Sequence, residues 1–153
     1  MTEPPSVTPA ALAIAPIGEA DDASVATLWQ RCGLTRPWND PQADIALARR
    51  SPNATILVGR DGNGIVASAM VGHDGHRGWV YYVAVDPDHR GKAFGRAIMS
   101  AAEDFLRQAG IAKLQLMVRP ENDEVRAFYE SIGYDEQERV IYAKWLDGRE
   151  MTP

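Results

Sequence analysis

The sequence is short of cysteine, of basic charge and of long apolar runs. Cys32 is the only cysteine among 153 residues. That excludes an intrachain disulfide and fits a reducing compartment, so a cytoplasmic location is expected. Lysine and arginine number 16 against 21 acidic residues, a net charge of −5. Nucleic-acid-binding domains are usually basic, so no nucleic-acid partner is expected. No apolar run approaches the roughly 18 residues of a membrane span, and no membrane role is expected. The opening MTEPPSVTPA lacks the basic start and apolar core of a signal peptide. Residues 1–10 read instead as a flexible, proline-rich tail. Hydrophobic content of 45% and charged content of 24% are ordinary, and the length suits one domain over 11–153.

Apolar periodicity and turn residues give the element order β-α-α-β-β-β-α-β-α-β. A short strand falls in Ala11 to Gly18. The next helix is capped by Asp21 or Asp22, carries a Val25, Leu28, Trp29 and Cys32 stripe, and stops at Gly33. Asn39 or Asp40 caps a second helix with Pro41 at its first position. Two β-rich runs flank Asp61, Gly62, Asn63 and Gly64, a hairpin signal. WVYYVAV, Trp79 to Val85, is strongly β-prone. A helix follows from Ala93 to Ala109 and ends at Gly110. AKLQLMV is a strand, NDEVRAFYESIGY a helix, and EQERVIYAKWL a final strand. An antiparallel meander followed by βαβ units implies an α/β (α+β) fold: one mixed, mostly antiparallel sheet with helices on both faces.

An acidic chain gathers three cations, Arg90, Lys92 and Arg96, and two glycines, Gly91 and Gly95, at the start of one helix. The first N–H groups of a helix lack internal partners, and the helix dipole adds positive charge there. Such a turn suits a phosphate. It is neither a P-loop, which needs Lys-Ser/Thr after its last glycine, nor the dinucleotide pattern G-x-G-x-x-G. A tight turn with solvated cations is the alternative reading.

Two motifs together decide between these readings. VAVDPDHRGKAFGRAIM resembles the acetyl-CoA-binding segment of GNAT-family N-acetyltransferases, whose pattern is [QR]-x-x-G-x-[GA]. Arg90 matches its first position and Gly95 its last, while Ala93 stands where the middle glycine is usual. A left-handed backbone there would cost alanine roughly 1 kcal/mol or more. NDEVRAFYESIGY resembles a later helix of the same family, N-x(6)-Y-x-x-x-G-[FY], through Asn122, Tyr129, Gly133 and Tyr134. LWQRCGLTRPWNDP and GHDGHRGWVYY are also similar to small bacterial members of the family.

The resemblance implies an acetyl-CoA-dependent transferase acting on an amine of a small molecule or peptide. It implies backbone contacts from Val83 and Val85 to the cofactor arm, and a pyrophosphate site over Gly91, Lys92, Ala93, Phe94, Gly95 and Arg96 beside Arg90. An amide near Val83 would face the developing oxyanion, and Tyr129 would protonate the leaving thiolate. Asn122 and Tyr129 are seven residues apart, within roughly 20° on one helix face. Asn122 could bond the cofactor arm or serve only as a helix cap, and Tyr129 could be plain core.

An amine acceptor must lose a proton, and a positioned base is worth roughly 10²–10⁴ in rate. Relatives that acetylate protein N-termini often carry a glutamate where this chain has Met117. Glu121, Asp74 and His76 are therefore the base candidates, His76 because imidazole titrates in the useful range. Two histidines and an aspartate in HDGH are too few for a metal site, so no metal is expected. Trp38 is a candidate wall of the acceptor pocket, with Arg36 or Asp40 selecting charge, or else a staple between two helices. Asp74 is a candidate acceptor contact. The β-rich end RVIYAKWL could pair across a homodimer. The alternative function is an acyl-CoA-binding or regulatory module without turnover.

Overall fold

A computed structural model describes residues 12–62 and 64–151. The N-terminal tail, Ala11 and Asn63 lie outside the described residues. Contacts divide the chain into one unit through Met117 and a second from Val118, and each is described by itself.

The first unit holds β1 (Ala13–Pro16), α1 (Asp22–Arg31), α2 (Pro41–Arg50), β2 (Ala54–Asp61), β3 (Gly64–His73), β4 (Gly78–Val85), α3 (Phe94–Gln108) and β5 (Leu114–Gln115). The sheet runs β1-β2-β3-β4-β5. Its first three pairings are antiparallel, and β5 joins β4 in parallel. Side chains alternate across a strand, so each strand feeds two cores. Ile56 and Val58 of β2 and Ala84 of β4 pack with Val25, Leu28 and Trp29 of α1 and Ile45 and Ala48 of α2. Leu57, Ala67, Ala69, Val71 and Val80 point the other way and are buried. α3 packs on β2, β3 and β4, burying Ile98, Met99, Ala102 and Leu106. The helices thus cover both faces, as the sequence predicts.

Local chemistry explains the helix ends. Asp40 caps α2 by accepting from Gln42 N and Ala43 N, with Pro41 at the first position. Asp21 precedes α1 without capping it. Its carboxylate accepts from Gly18 N at 2.8 Å and from Arg60 Nη2 at 2.5 Å. Those partners hold it below the usual carboxylate range, the Arg60 hydrogen bond most of all. Gly33 at φ 69° ends α1.

β4 carries the departure from regularity on which the site rests. Tyr81 pairs with Met70 and Ala84 with Ser68. Tyr82 and Val83 therefore oppose Ala69 alone, a β-bulge that adds one residue to β4. Tyr82 stands at φ 52°, a left-handed backbone that costs a non-glycine residue roughly 1–2 kcal/mol. Four contacts hold it there. Its ring stacks on Trp29 with centroids 3.7 Å apart and planes 6° from parallel. Its hydroxyl donates to Asp44 Oδ2 at 2.6 Å. Its carbonyl accepts from Ser68 Oγ at 2.8 Å, and Trp29 Nε1 donates to the same Ser68 oxygen at 2.9 Å. Ser68 is fully buried.

The second unit holds α4 (Asp123–Ser131), capped by Asn122. The expected final strand over EQERVIYAKWL is not formed. Backbone groups in a strand need a neighbouring ladder, and no ladder pairs this segment among the described residues. Val140, Ile141, Tyr142 and Leu146 are exposed. Its β-branched composition fits a half-buried pleated surface and does not create one. The AKLQLMV strand likewise shortens to the two residues of β5.

Among the described residues, Ser68 is the side chain hydrogen-bonded to both Trp29 and the Tyr82 carbonyl, which gives a stability prediction. Ser68→Ala leaves a buried indole N–H and a carbonyl without that partner. We expect a loss of about 2 kcal/mol, a fall of roughly 4–8 °C in thermal midpoint. An unchanged midpoint in calorimetry would show that the bulge does not depend on this hydroxyl.

Candidate active site

β4 is open toward β5 near the bulge. Toward β3, Tyr82 and Val83 share Ala69 as the residue opposite. Toward β5, pairing is confined to Gly78 with Leu114 and Trp79 with Gln115. From Val80 onward the two strands no longer pair, so main-chain groups of β4 face the parting. Val85 is partly engaged, because its carbonyl accepts from Cys32 Sγ at 3.2 Å. Burial pushes the Cys32 thiol up.

β4 leads into a turn with a fixed geometry. Asp86 Oδ1 accepts from Asp88 N at 2.9 Å, and Arg31 Nη2 of α1 reaches Asp86 and Asp88 at 3.1 Å each. His89 lies between Asp86 at 3.5 Å and Asp61 at 3.9 Å. These contacts tie the start of the turn to α1 and β2. Gly91 then takes φ 83°, and the space where a Cβ would project is open to 4 Å. Ala93 takes φ 62° and ψ 22° and stands as the N-cap of α3 without a side-chain cap. This position is left-handed, so the glycine of the family pattern has a steric reason that alanine overrides at a cost.

The start of α3 differs from those of α2 and α4, where side chains accept from the first amides. Here no capping side chain and no acidic residue stands in the first turn. Arg90, Lys92 and Arg96 are exposed. Among the described residues Arg90 and Arg96 have no ion-pair partner, and Lys92 only approaches Asp61, at 3.9 Å. Uncapped amides, a helix dipole, open space at Gly91 and surrounding cations fit a phosphate-bearing ligand. Phe94 is buried beneath the turn and anchors it. An open cleft of about 350 Å³ beside Ser24, Thr27, Arg31 and Asp86 runs along α1. It takes in none of Gly91 to Arg96.

In the second unit, Asn122 Oδ1 accepts from Val125 N at 3.3 Å, so its capping role is realised. Tyr129 meets Phe128 and Tyr134 edge to face, at centroid distances of 5.0 and 5.8 Å. Burial pushes its hydroxyl up to about 12, so it is a protonated donor across the physiological range. Glu121 is exposed in the turn before α4.

A family profile described as Acetyltransferase (GNAT) family matches residues 23–134. The chain belongs to the GNAT acetyltransferase family. An acetyltransferase of Yersinia enterocolitica is 41% identical over 128 residues, 84% of this chain and 91% of that protein. One from Sodalis glossinidius is 43% identical over 121 residues, 79% of this chain and 85% of the relative. Among solved structures, the ribosomal-protein-S18-alanine N-acetyltransferase of Escherichia coli aligns with a TM-score of 0.72 and 26% identity, covering 91% of this chain and 88% of that one. The aminoglycoside acetyltransferase AAC(6')-Iy, solved with a CoA-linked bisubstrate analogue, shares the fold with a TM-score of 0.77 at 14% identity, covering 88% of this chain and 98% of that one.

Several expected side chains serve other ends in this GNAT protein. Asp74 Oδ1 accepts from His76 N and Arg77 N at 2.9 and 2.8 Å. Those bonds, Arg77's first, hold its carboxyl below the usual range. Asp74 and His76 are exposed in the β3–β4 turn. The chain from His76 to Val83 spans about 20 Å when extended. Both stand before the start of β4, at the end of the strand away from the bulge. Arg36 Nη1 is tied to the carbonyls of Gly33 and Thr35 at 2.7 and 2.9 Å, and Asp40 is spent as a cap. Trp38 is half-buried in the turn between α1 and α2. The residues that sequence reasoning missed are Asp44, Ser68 and Tyr82; the adjacent tyrosines in WVYYVAV were the signal, read only as β propensity.

The left-handed Ala93 gives a direct test. Ala93→Gly should raise stability by roughly 1 kcal/mol, about 2–4 °C in thermal midpoint. A lower midpoint would show that this turn does not hold the left-handed backbone.

Proposed function

We propose that this protein moves an acetyl group from acetyl-CoA directly to an amine of a small molecule or peptide. The observation that carries the reading is the opened stretch of β4 from the bulge to the uncapped start of α3. It offers main-chain donors to an extended arm and then to a phosphate. In this proposal acetyl-CoA supplies the thioester. Val83 and Val85 align the arm through their backbones. The amides over Gly91 to Arg96, with Arg90 and Lys92 nearby, bind the pyrophosphate. The Val83 amide faces the carbonyl oxygen as negative charge develops on it, a term worth about 3 kcal/mol where donors are preorganised.

Family resemblance assigns Tyr129 as the donor to the departing sulfur and Asn122 as a contact to the arm. The raised hydroxyl of Tyr129 supports a donor role, because it keeps its proton at working pH. Glu121 and His76 are the base candidates in this proposal, Asp74 a candidate acceptor contact, and Trp38 the proposed wall of the acceptor pocket. The named targets of the structural relatives, a ribosomal-protein alanine and aminoglycosides, are both amines, which supports an amine acceptor here.

The test is an acceptor panel of peptides, polyamines and aminoglycosides, with acetylated products weighed by mass spectrometry. Transfer to at least one amine is expected. CoA binding without transfer to any of them would assign the chain to acyl-CoA binding instead. With a working acceptor, Tyr129→Phe should lower kcat by roughly 10–10³ while CoA affinity holds. Normal kcat would remove Tyr129 from the chemistry. Gly95→Asp should weaken CoA at least tenfold in titration calorimetry without unfolding the chain, since an acid early in a helix favours the helix but repels phosphate. Unchanged affinity would remove the turn from the cofactor site.

A further inference from the structure

The geometry points to Asp44 and Tyr82 as positioning residues for acyl transfer: the carboxylate of α2 holds the phenol, and the phenol holds the bulge whose next amide belongs to Val83. The inference rests on the acetyl-transfer reading for its catalytic consequence and on geometry alone for the tether.

Tyr82 is the residue whose backbone turns left-handed, at φ 52°. Its side chain is fixed at both ends. The ring is stacked on Trp29 at 3.7 Å, which sets its plane. The hydroxyl ends on Asp44 Oδ2 at 2.6 Å, which sets its reach. Trp29 is fully buried in α1, so the stacking surface is rigid. Asp44 is equally well placed: Asp40 and Pro41 start α2, and Ile45, its neighbour, is fully buried. Burial first, and the Asp44 carboxylate second, hold the Tyr82 hydroxyl well above its usual range. The phenol therefore keeps its proton and donates it in the bond to Asp44.

An oxyanion donor helps only if its direction is set before charge develops, and a misplacement of about 1 Å can cost roughly 10²-fold in rate. Val83 is joined to Tyr82 and shares Ala69 with it as the residue opposite in β3. Its direction depends on the torsions of Tyr82. The Asp44–Tyr82 bond acts on those torsions from outside the strand, across 38 residues of sequence, together with the Trp29 stack and the Ser68 bond.

The test compares Asp44→Ala, Tyr82→Phe and Asp44→Asn with wild type in the full chain. Asparagine keeps an oxygen that accepts from the phenol, so it isolates geometry from charge. We expect Asp44→Ala and Tyr82→Phe to lower kcat about tenfold at saturating acetyl-CoA, with CoA affinity within twofold. Asp44→Asn should recover most of the lost kcat. In amide NMR spectra of CoA-free protein, the Tyr82, Val83 and Ala84 signals should broaden or double in the two impaired variants and stay single in Asp44→Asn. Wild-type kcat in both impaired variants overturns the proposal. So does an Asp44→Asn variant as slow as Asp44→Ala, a matching loss of CoA affinity, or unaltered NMR signals. If wild type acetylates no amine, the transfer reading fails, and the NMR arm still decides whether the tether exists.

Discussion

Tyr82 sits in a backbone conformation that tyrosine disfavours, and what holds it there decides where β4 points its main chain. The stack on Trp29, the bond to Asp44 and the Ser68 bridge act on one residue from α1, α2 and β3. Each comes from an element whose own register is already fixed by burial. Strain of this kind persists only when the surroundings over-determine it. Both cores take part in this. α3 holds the sheet from one face through Ile98, Met99, Ala102 and Leu106, so α1 and α2 can grip the bulge from the other.

The same strand then delivers the turn to α3. Arg31 clamps Asp86 and Asp88, so the turn starts from a fixed point. Gly91 and Ala93 both take left-handed backbones, which bends the chain back over the first amides of α3. α2 and α4 spend side chains on their first turns, Asp40 and Asn122, and α1 carries Asp22 there. α3 spends none and carries no acid there. An acidic protein thus keeps one local electropositive end, and the family membership supplies its ligand, a CoA pyrophosphate, as the proposed occupant.

Local signals made much of this legible in the sequence. The cap at Asp40, the stop at Gly33, the β4 run and the Arg90 to Gly95 motif each depend on only a few consecutive residues. The Asn122 to Tyr134 spacing was read the same way, from one helix. Contacts across long separations were not legible: Trp29 with Ser68 spans 39 residues and Tyr82 with Asp44 spans 38. Alternation in EQERVIYAKWL promised a strand, but pairing requires a neighbour that composition does not specify. The turn that holds Asp74 and His76 was legible as well, but the hydrogen bonds that Asp74 accepts from His76 N and Arg77 N were not.

The most direct measurement of the whole account is a crystal structure of the protein with CoA. The account predicts the pyrophosphate over the amides of Gly91 to Arg96 and the pantetheine arm along β4, with its sulfur end at the Val83 amide. Pyrophosphate bound away from α3, or an arm that leaves the bulge of β4 untouched, would contradict it.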